Sequence, residues 1–208
     1  MRILHLTDLH GSEKCVGQSR ELIQEHSPDL VLVTGDITNF GPLSYARRFF
    51  EGLPGKVLGI PGNCDPPEIV SLLESMGVNL HEKREAFQGE LIVGLGGSTP
   101  TPFHTPFEIS EQEVDISLRR LMVRGAILAT HAPPRGHVDV VPSSGHAGSL
   151  SVGALVDEFR PKLVLCGHIH EGRGVERGSI TYVNPGPAFS GYAAVIDVED
   201  EVEVTLLP

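Results

Sequence analysis

The chain has little of what marks a secreted, membrane-spanning or nucleic-acid-binding protein. Its 208 residues include three cysteines, no tryptophan and only 5% aromatic residues. Three widely spaced cysteines provide neither a disulfide framework nor a CxxC site, and no apolar run approaches the roughly 18 residues that cross a bilayer. Positive charge is also scarce, since 16 Lys and Arg stand against 27 Asp and Glu. The net charge of −11 disfavours an extended nucleic-acid-binding surface.

The remaining composition is typical of one globular domain. Hydrophobic residues make up 40% of the chain and charged residues 21%, which excludes a disordered protein. We treat residues 1–208 as a single domain, because this length is ordinary for one core. The first residues enter a strand at once, and Asp8 interrupts what would be the apolar part of a signal peptide. We expect a cytoplasmic protein with no membrane partner; a homo-oligomer stays open.

Apolar periodicity and capping residues predict the elements of an α/β fold. Helices are predicted at residues 16–26, from 42 or 44 to 52, at 66–77 and 110–121, and from 149 or 151 to 159. Ser110 and Glu113 have the spacing of a capping box. Strands alternate with helices in the first third, which predicts parallel pairing. Four short segments at 174–178, 180–183, 192–198 and 202–207 resemble antiparallel strands joined by Gly-containing turns.

Residues that commonly bind metals follow five apolar, strand-like runs. The runs lead into Asp8 and His10, Asp36, Asn63, His131, and His168 and His170. Unbroken apolar runs are typical of buried strands, and open α/β sheets carry their ligand sites at the carboxyl ends of such strands. We therefore expect these seven side chains to meet at one site.

The chemistry of this set predicts two metal ions. Asp8 and His10 are two residues apart, as are His168 and His170, so each pair points one way in an extended segment. Imidazoles, two carboxylates and an amide oxygen suit Mn, Fe, Co, Ni or Zn. Seven ligands exceed one tetrahedral site, but suit two ions about 3.5–4 Å apart that share a carboxylate. Water bridging such ions is largely hydroxide near neutral pH, and is the expected nucleophile.

The motifs resemble those of a known family. Asp8-Leu9-His10, Gly35-Asp36, Gly62-Asn63-Cys64-Asp65, His131 and Gly167-His168-Ile169-His170 are similar, in order and rough spacing, to the motifs of calcineurin-like metallophosphoesterases. The segments 96–103 and 146–149, with Glu171, resemble the Icc-related predicted phosphoesterases. The resemblance implies a four-layer α/β/β/α sandwich of two mixed sheets, with the metals at one sheet edge.

Resemblance and spacing together also suggest how the ligands divide. One ion would be held by Asp8, His10, Asp36 and His170, and the other by Asp36, Asn63, His131 and His168. Asp36 would bridge the two ions. We expect manganese, with Fe, Ni, Co or Zn as alternatives.

Position 64 departs from the family pattern. The family usually has His after the Asn, where it stabilises charge or protonates the leaving oxygen, and Asp65 normally orients that His. A thiol can donate a proton, but Cys64 cannot bring positive charge to a phosphoryl group. His104, His137 and His146 are alternative proton donors. They belong to two loops, 98–105 and 133–148, which are candidate pocket walls or merely rigid Pro-containing connections.

These observations predict a metal-dependent phosphodiesterase that hydrolyses a small phosphodiester by attack of a metal-bridging hydroxide. The candidate catalytic residues are Asp36, Asn63, Cys64, Asp65 and His104. The alternative is a binding or scaffold protein that keeps the fold with weak or no turnover. Retention of all seven ligands favours the enzyme, whereas the loss of His at position 64 favours the alternative.

Overall fold

Two sheets, each with helices on its outer face, organise the chain. The computed structural model describes residues 1–208. In chain order the strands are β1 (Arg2–Leu6), β2 (Leu30–Thr34), β3 (Lys56–Ile60), β4 (Lys83–Phe87), β5 (Glu90–Leu95), β6 (Ile127–Thr130), β7 (Val140–Val141), β8 (Gly145–His146), β9 (Leu163–Leu165), β10 (Gly174–Glu176), β11 (Thr181–Asn184), β12 (Ala193–Val198) and β13 (Val202–Leu207). The helices are α1 (Glu13–His26), α2 (Leu43–Glu51), α3 (Ile69–Ser75), α4 (Glu111–Leu121) and α5 (Leu150–Phe159), with short 3₁₀ turns at His170–Gly172 and Ala188–Ser190.

Both sheets are mixed. The first has the order β13-β12-β1-β2-β3, in which β1, β2 and β3 are parallel and β12 and β13 pair antiparallel. The second has the order β10-β11-β9-β6-β5-β4, with four parallel central strands and one antiparallel strand at each edge. Parallel pairing brings the carboxyl ends of β1, β2 and β3 to one edge, and those of β6 and β9 to one edge of the second sheet.

The core consists of three apolar layers. Alternation along β1 places Ile3 among the residues packed between the two sheets and Leu4 among those packed against the helices. Leu118 and Leu155 belong to the third layer, between the second sheet and its helices α4 and α5. Burying each such side chain contributes about 1.5–3 kcal/mol. Three layers of this kind hold the strand ends rigidly beneath the loops that follow them.

The predicted four-layer sandwich of two mixed sheets is confirmed, with differences at particular elements. Helix α4 begins at the predicted capping box, where Ser110 accepts from the Glu113 N–H and Glu113 accepts from the Ser110 N–H. Helix α3 starts later than predicted, because Pro66 and Pro67 form a turn ahead of Ile69. Strand β4 was not predicted, since it is an edge strand without a buried face and therefore lacks an apolar alternation.

The C-terminal prediction needs a correction. The segments after the last histidine pair were expected to form an antiparallel series, but they divide between the sheets. Strands β12 and β13 join the first sheet beside β1, whereas β11 runs parallel to β9 in the second.

None of the helices combines the length and apolar character that crossing a membrane requires.

Candidate metal centre

The seven predicted ligands converge where the strand ends of the two sheets meet. The Nε2 atom of His131 lies 3.0 Å from Asn63 Oδ1 and 3.4 Å from Asp36 Oδ1. His168 packs beside it, with 5.0 Å between the two ring centroids. On the other side of Asp36, His10 places its Nε2 atom 3.5 Å from Asp36 Oδ2.

Asp8 and His170 complete the set of seven. The Oδ1 atom of Asp8 lies 3.4 Å from His170 Nε2 and 3.9 Å from His10 Nε2. The ligand atoms of Asp8, His10 and His170 all lie within 4.8 Å of one another, as do those of Asp8, Asp36 and His131. Residues separated by more than 160 positions in the chain thus share one small volume.

Strained backbone turns aim four of these side chains. Asp8, His10, Asp36 and His168 adopt φ values of 54°, 47°, 47° and 65°, in a left-handed region that costs L-residues about 1–3 kcal/mol each. Bonds between the strand-end loops hold these turns. The Asp8 N–H donates to Gly35 O at 3.0 Å, the His10 N–H to Asp36 O at 2.8 Å, and the His168 N–H to Asp8 Oδ2 at 3.1 Å.

Two glycines allow the ligand loops to approach each other. A Cβ atom on Gly62 would overlap the backbone nitrogen and Oδ1 of Asp36, and a Cβ on Gly167 would overlap Thr7 and come within 2.7 Å of Asp8 Oδ2. Glycine is therefore needed at both positions because of close packing.

One buried atom of this set has no hydrogen-bond partner. Asp8 Oδ1 is buried and accepts no hydrogen bond, which is costly for a carboxylate oxygen away from water. It faces the Nε2 atoms of His10 and His170, both ordinary metal-binding atoms. A divalent cation would satisfy this oxygen, so the residues present fit a metal.

The electrostatics indicate the same requirement for positive charge. Burial lowers the pKa of His131, but the adjacent Asp36 and Asp8 carboxylates outweigh burial and raise this pKa to about 9. By contrast, burial and the neighbouring His131 lower the pKa of His168 to about 4. The two buried carboxylates thus favour the protonated form of His131, and a bound cation would supply that positive charge instead.

The chain is also similar to known proteins. A family model described as calcineurin-like phosphoesterase matches residues 1–172. The chain belongs to the calcineurin-like phosphoesterase family. Membership of this family supports a phosphoester hydrolase. The family generally depends on divalent metals, and the chain has groups of residues that could hold one.

Two curated relatives and a solved structure are similar to this phosphoesterase over most of its length. An uncharacterized protein of Methanocaldococcus jannaschii is 35% identical over 202 residues, covering 90% of this chain and 88% of the relative. A probable cyclic nucleotide phosphodiesterase of Synechococcus is 27% identical over 204 residues, covering 88% of this chain and 78% of the relative. The crystal structure of a Thermus thermophilus protein has a TM-score of 0.74 at 19% identity, covering 98% of this chain and 97% of that one. This last similarity shows the fold alone.

The carboxylate of Asp65 binds backbone groups of two loops. Asp65 is fully buried, and its carboxylate accepts four hydrogen bonds: from the N–H groups of Ile37 at 3.0 Å, Thr38 at 2.7 Å and Gly62 at 2.8 Å, and from the Thr38 hydroxyl at 2.9 Å. Both oxygens are thus used to join the loops that follow β2 and β3. Asp65 positions Asp36 and Asn63 through these loops and does not orient the side chain at position 64.

We expect Asp65→Asn to destabilise the phosphoesterase even without metal. Asn keeps one acceptor oxygen and turns an NH₂ group toward backbone donors, and each buried donor left unpaired costs about 1–3 kcal/mol. The measurement is urea unfolding in excess chelator at pH 8, because burial and the adjacent Asp36 raise the pKa of Asp65 to about 7. Asp157→Asn, on an exposed residue of α5, is the control and should stay within about 0.5 kcal/mol of the parent. Equal stability of the two variants would contradict the loop-joining role.

Cys64 lies inside the cluster. Its N–H donates to Asp36 Oδ1 at 2.7 Å, and its sulfur lies within 4.8 Å of ligand atoms of His10 and Asp36. Burial, followed by the charge of Asp36, raises the pKa of the thiol, which makes it a weak proton donor. The seven predicted ligands include no thiol, yet the Cys64 sulfur is near enough to His10 and Asp36 to be a ligand with them.

The three alternative histidines have different surroundings. His104 is exposed at a loop tip with φ of 51°. His137 bonds Glu176 through Nδ1 at 2.7 Å and stacks on Tyr182 with 3.9 Å between ring centroids. His146 Nδ1 lies 2.5 Å from Oδ1 of Asp139, which is fully buried. Only His146 pairs with a buried carboxylate, an arrangement that fixes the tautomer of an imidazole and leaves Nε2 free.

Contacts from two segments, the loop after β5 and the turn that carries Phe189, were not predicted from the sequence. Asn63 Nδ2 donates to Thr105 Oγ1 at 3.1 Å, and the Phe107 N–H donates to Asn63 O at 3.0 Å. These bonds dock the loop after β5 on the metal centre, in line with its interpretation as a pocket wall. The ring of Phe189 contacts two ligand histidines. All of these contacts join residues that are far apart in the chain, and no local sequence pattern predicts them.

Proposed function

We propose that this calcineurin-like phosphoesterase is a dinuclear metal-dependent phosphodiesterase acting on a small phosphodiester. The observation that carries the proposal is the position of Asp36 between two ligand groups. Its Oδ2 lies 3.5 Å from His10 and its Oδ1 lies 3.4 Å from His131. A carboxylate that presents each oxygen to a different histidine is suited to bridge two cations.

The residues divide into two sets around this bridge. Asp8, His10 and His170 would hold one ion with Asp36, and the second would be held by Asn63, His131 and His168. When bound, two divalent ions supply charge to the phosphoryl oxygens and make water acidic enough to act as a nucleophile near neutral pH. We propose manganese as the native metal, because oxygen and imidazole ligands suit it.

The chain's own contribution is orientation. The Thr105 hydroxyl takes one N–H of the Asn63 amide, so that the amide oxygen faces His131. The N–H of Cys64 fixes one oxygen of Asp36. Such bonds around the ligands hold them in their productive orientation before the substrate arrives.

A diester substrate is supported by the relative from Synechococcus, which is described as a probable cyclic nucleotide phosphodiesterase. The second candidate function, a binding or scaffold role without turnover, is favoured by Cys64, since no imidazole follows Asn63. A proton donor elsewhere would remove that objection.

The experiment that tests the proposal combines metal analysis with turnover. Protein stripped with chelator, reconstituted with Mn and desalted should contain about two ions per chain. It should hydrolyse bis(4-nitrophenyl) phosphate faster than 4-nitrophenyl phosphate. One ion per chain would contradict the dinuclear centre, and a faster monoester would contradict the diester preference. Full metal loading without turnover of either substrate would establish the scaffold role.

His146 is the proposed proton donor for the leaving group. Its partner Asp139 also accepts from the N–H groups of Gly136 at 3.0 Å and Gly148 at 2.9 Å, so the pair is fixed in its loop. The loop is attached to the ligand segment through Asn184, whose Nδ2 donates to Val138 O at 3.4 Å and Ile169 O at 2.8 Å. Proton donation by His146 would replace the function that Cys64 performs poorly.

We expect His146→Ala to slow alkyl phosphodiesters about 10²–10⁴-fold, the range that general acid catalysis supplies. Aryl esters should hardly change, because a phenolate leaves without a proton. The measurement is kcat/KM for a series of leaving groups with the Mn-loaded enzyme. His137→Ala removes a histidine of the same loop that is tied to Glu176, and should behave as the parent. A uniform loss across the series in His146→Ala would exclude this role.

A further inference from the structure

An exposed phenylalanine lies directly against the metal centre. Phe189 is 41% exposed, and its ring centroid lies 5.5 Å from that of His10 and 5.5 Å from that of His170. The interplanar angles are 66° and 68°, so the ring meets both ligand imidazoles edge to face. A large apolar group is thus held open to water at the mouth of a polar site.

The position of Phe189 is fixed by its backbone. The N–H of Ala188 donates to Thr7 O at 2.8 Å, and that of Phe189 donates to Asp8 O at 3.3 Å. These bonds attach the 3₁₀ turn to the segment that carries the first ligand. Gln18 from α1 donates to Gly191 O at 2.5 Å and secures the other end of the turn. The ring is therefore held at the site and is not a fraying surface group.

The other exposed phenylalanines lie on segments that touch the same site. Phe40 is 60% exposed, and its N–H donates to Cys64 O at 2.9 Å. Phe103 is 82% exposed, in the loop that reaches Asn63 through Thr105. The five remaining phenylalanines are buried or half-buried. Exposure of this residue type is thus confined to segments around the metal centre, which argues against random surface placement.

Resting on the proposed function, we propose that Phe189 is a specificity-determining residue that contacts an aromatic substituent of the phosphoester. The ligands of the first ion, His10 and His170, would sit beside the phosphoryl group, and the ring next to them provides an apolar face for the group attached to it. The substrate class is a phosphoester with a flat ring close to phosphorus, such as an aryl ester. Esters with only small alkyl substituents would leave the ring of Phe189 exposed to water.

Binding of two phosphonates tests this role without requiring turnover. Phenylphosphonate and methylphosphonate offer the same head group, and the Mn-loaded parent should bind the phenyl compound about tenfold more tightly, within the range that ring stacking supplies. Phe189→Ala should abolish this preference while keeping the affinity for methylphosphonate. Phe189→Leu, which retains apolar area without a ring, should fall between the two. Calorimetric titration of the three proteins with the two phosphonates measures all six affinities.

Ile116→Ala is the matched control, since Ile116 is an exposed apolar residue on α4. It should keep the full phenyl preference. Equal binding of the two phosphonates by the parent, or a preference that survives in Phe189→Ala, would overturn the role of Phe189 and leave the proposed function standing. Absence of binding together with absence of turnover would refute the proposed function itself. A parent dimer that Phe189→Ala dissociates in sedimentation experiments would assign the ring to self-association instead.

Discussion

Asp36→Asn should lower kcat/KM for bis(4-nitrophenyl) phosphate about a thousandfold and reduce the metal content below that of the parent. Asn offers one acceptor oxygen and no charge, so it cannot bridge two cations. A loss of this size corresponds to about 4 kcal/mol of transition-state stabilisation, within what metal activation contributes. The amide oxygen can still accept from the Cys64 N–H, a bond of 2.7 Å in the parent. The fold should therefore survive, and circular dichroism in chelator should match the parent.

Elemental analysis after Mn reconstitution and desalting separates the two parts of this prediction. Asp157→Asn removes the same charge from an exposed site on α5 and should retain both metal and turnover. Near-normal metal content with near-normal rates in Asp36→Asn would exclude Asp36 as the bridge. Loss of turnover with full metal content would instead point to a role of its charge in the chemistry.

The convergence of the predicted ligands could be foreseen because these residues follow a simple rule of parallel sheets. Each follows an apolar run, and the carboxyl ends of parallel strands meet at one edge. Asp8 after β1, Asp36 after β2 and Asn63 after β3 could be grouped on that ground alone. His131 and His168 follow strands of a second sheet, and nothing in their local sequence shows that the two sheets face each other. The family resemblance supplied that step.

The surroundings of the ligands were less predictable. In the family pattern this Asp orients the residue before it, whereas the carboxylate of Asp65 turns inward to three backbone N–H groups. Such a choice depends on where the loop after β2 runs, and that path is set by packing of distant segments. The contact between Thr105 and Asn63 spans 42 positions. The left-handed φ values of Asp8 and Asp36 are likewise imposed by the joined loops and have no local signal.

Gly62→Ala should both destabilise the protein and impair the metal centre. The added methyl group would overlap the backbone nitrogen and Oδ1 of Asp36, so one of the two loops has to move. Overpacking of this kind costs about 1–3 kcal/mol and sometimes more. The upper end is expected here, because one overlapped atom is the backbone nitrogen of Asp36, and Asp65 binds the N–H groups of both Gly62 and Ile37, the residue after Asp36. Gly62 does not have a left-handed φ, so the effect is steric and not conformational.

Gly17→Ala provides a control with the opposite expected sign. Gly17 lies inside α1, and a Cβ added there would meet nothing within 4 Å. Replacing a helical glycine by alanine should stabilise the protein by about 0.5–1 kcal/mol. Urea unfolding in excess chelator measures both variants without any contribution from bound metal. If Gly62→Ala were as stable as the parent and bound the same amount of Mn, the loop after β3 would be able to accommodate the added methyl group. The close approach of Gly62 to Asp36 would then not be what positions the carboxylate between His10 and His131.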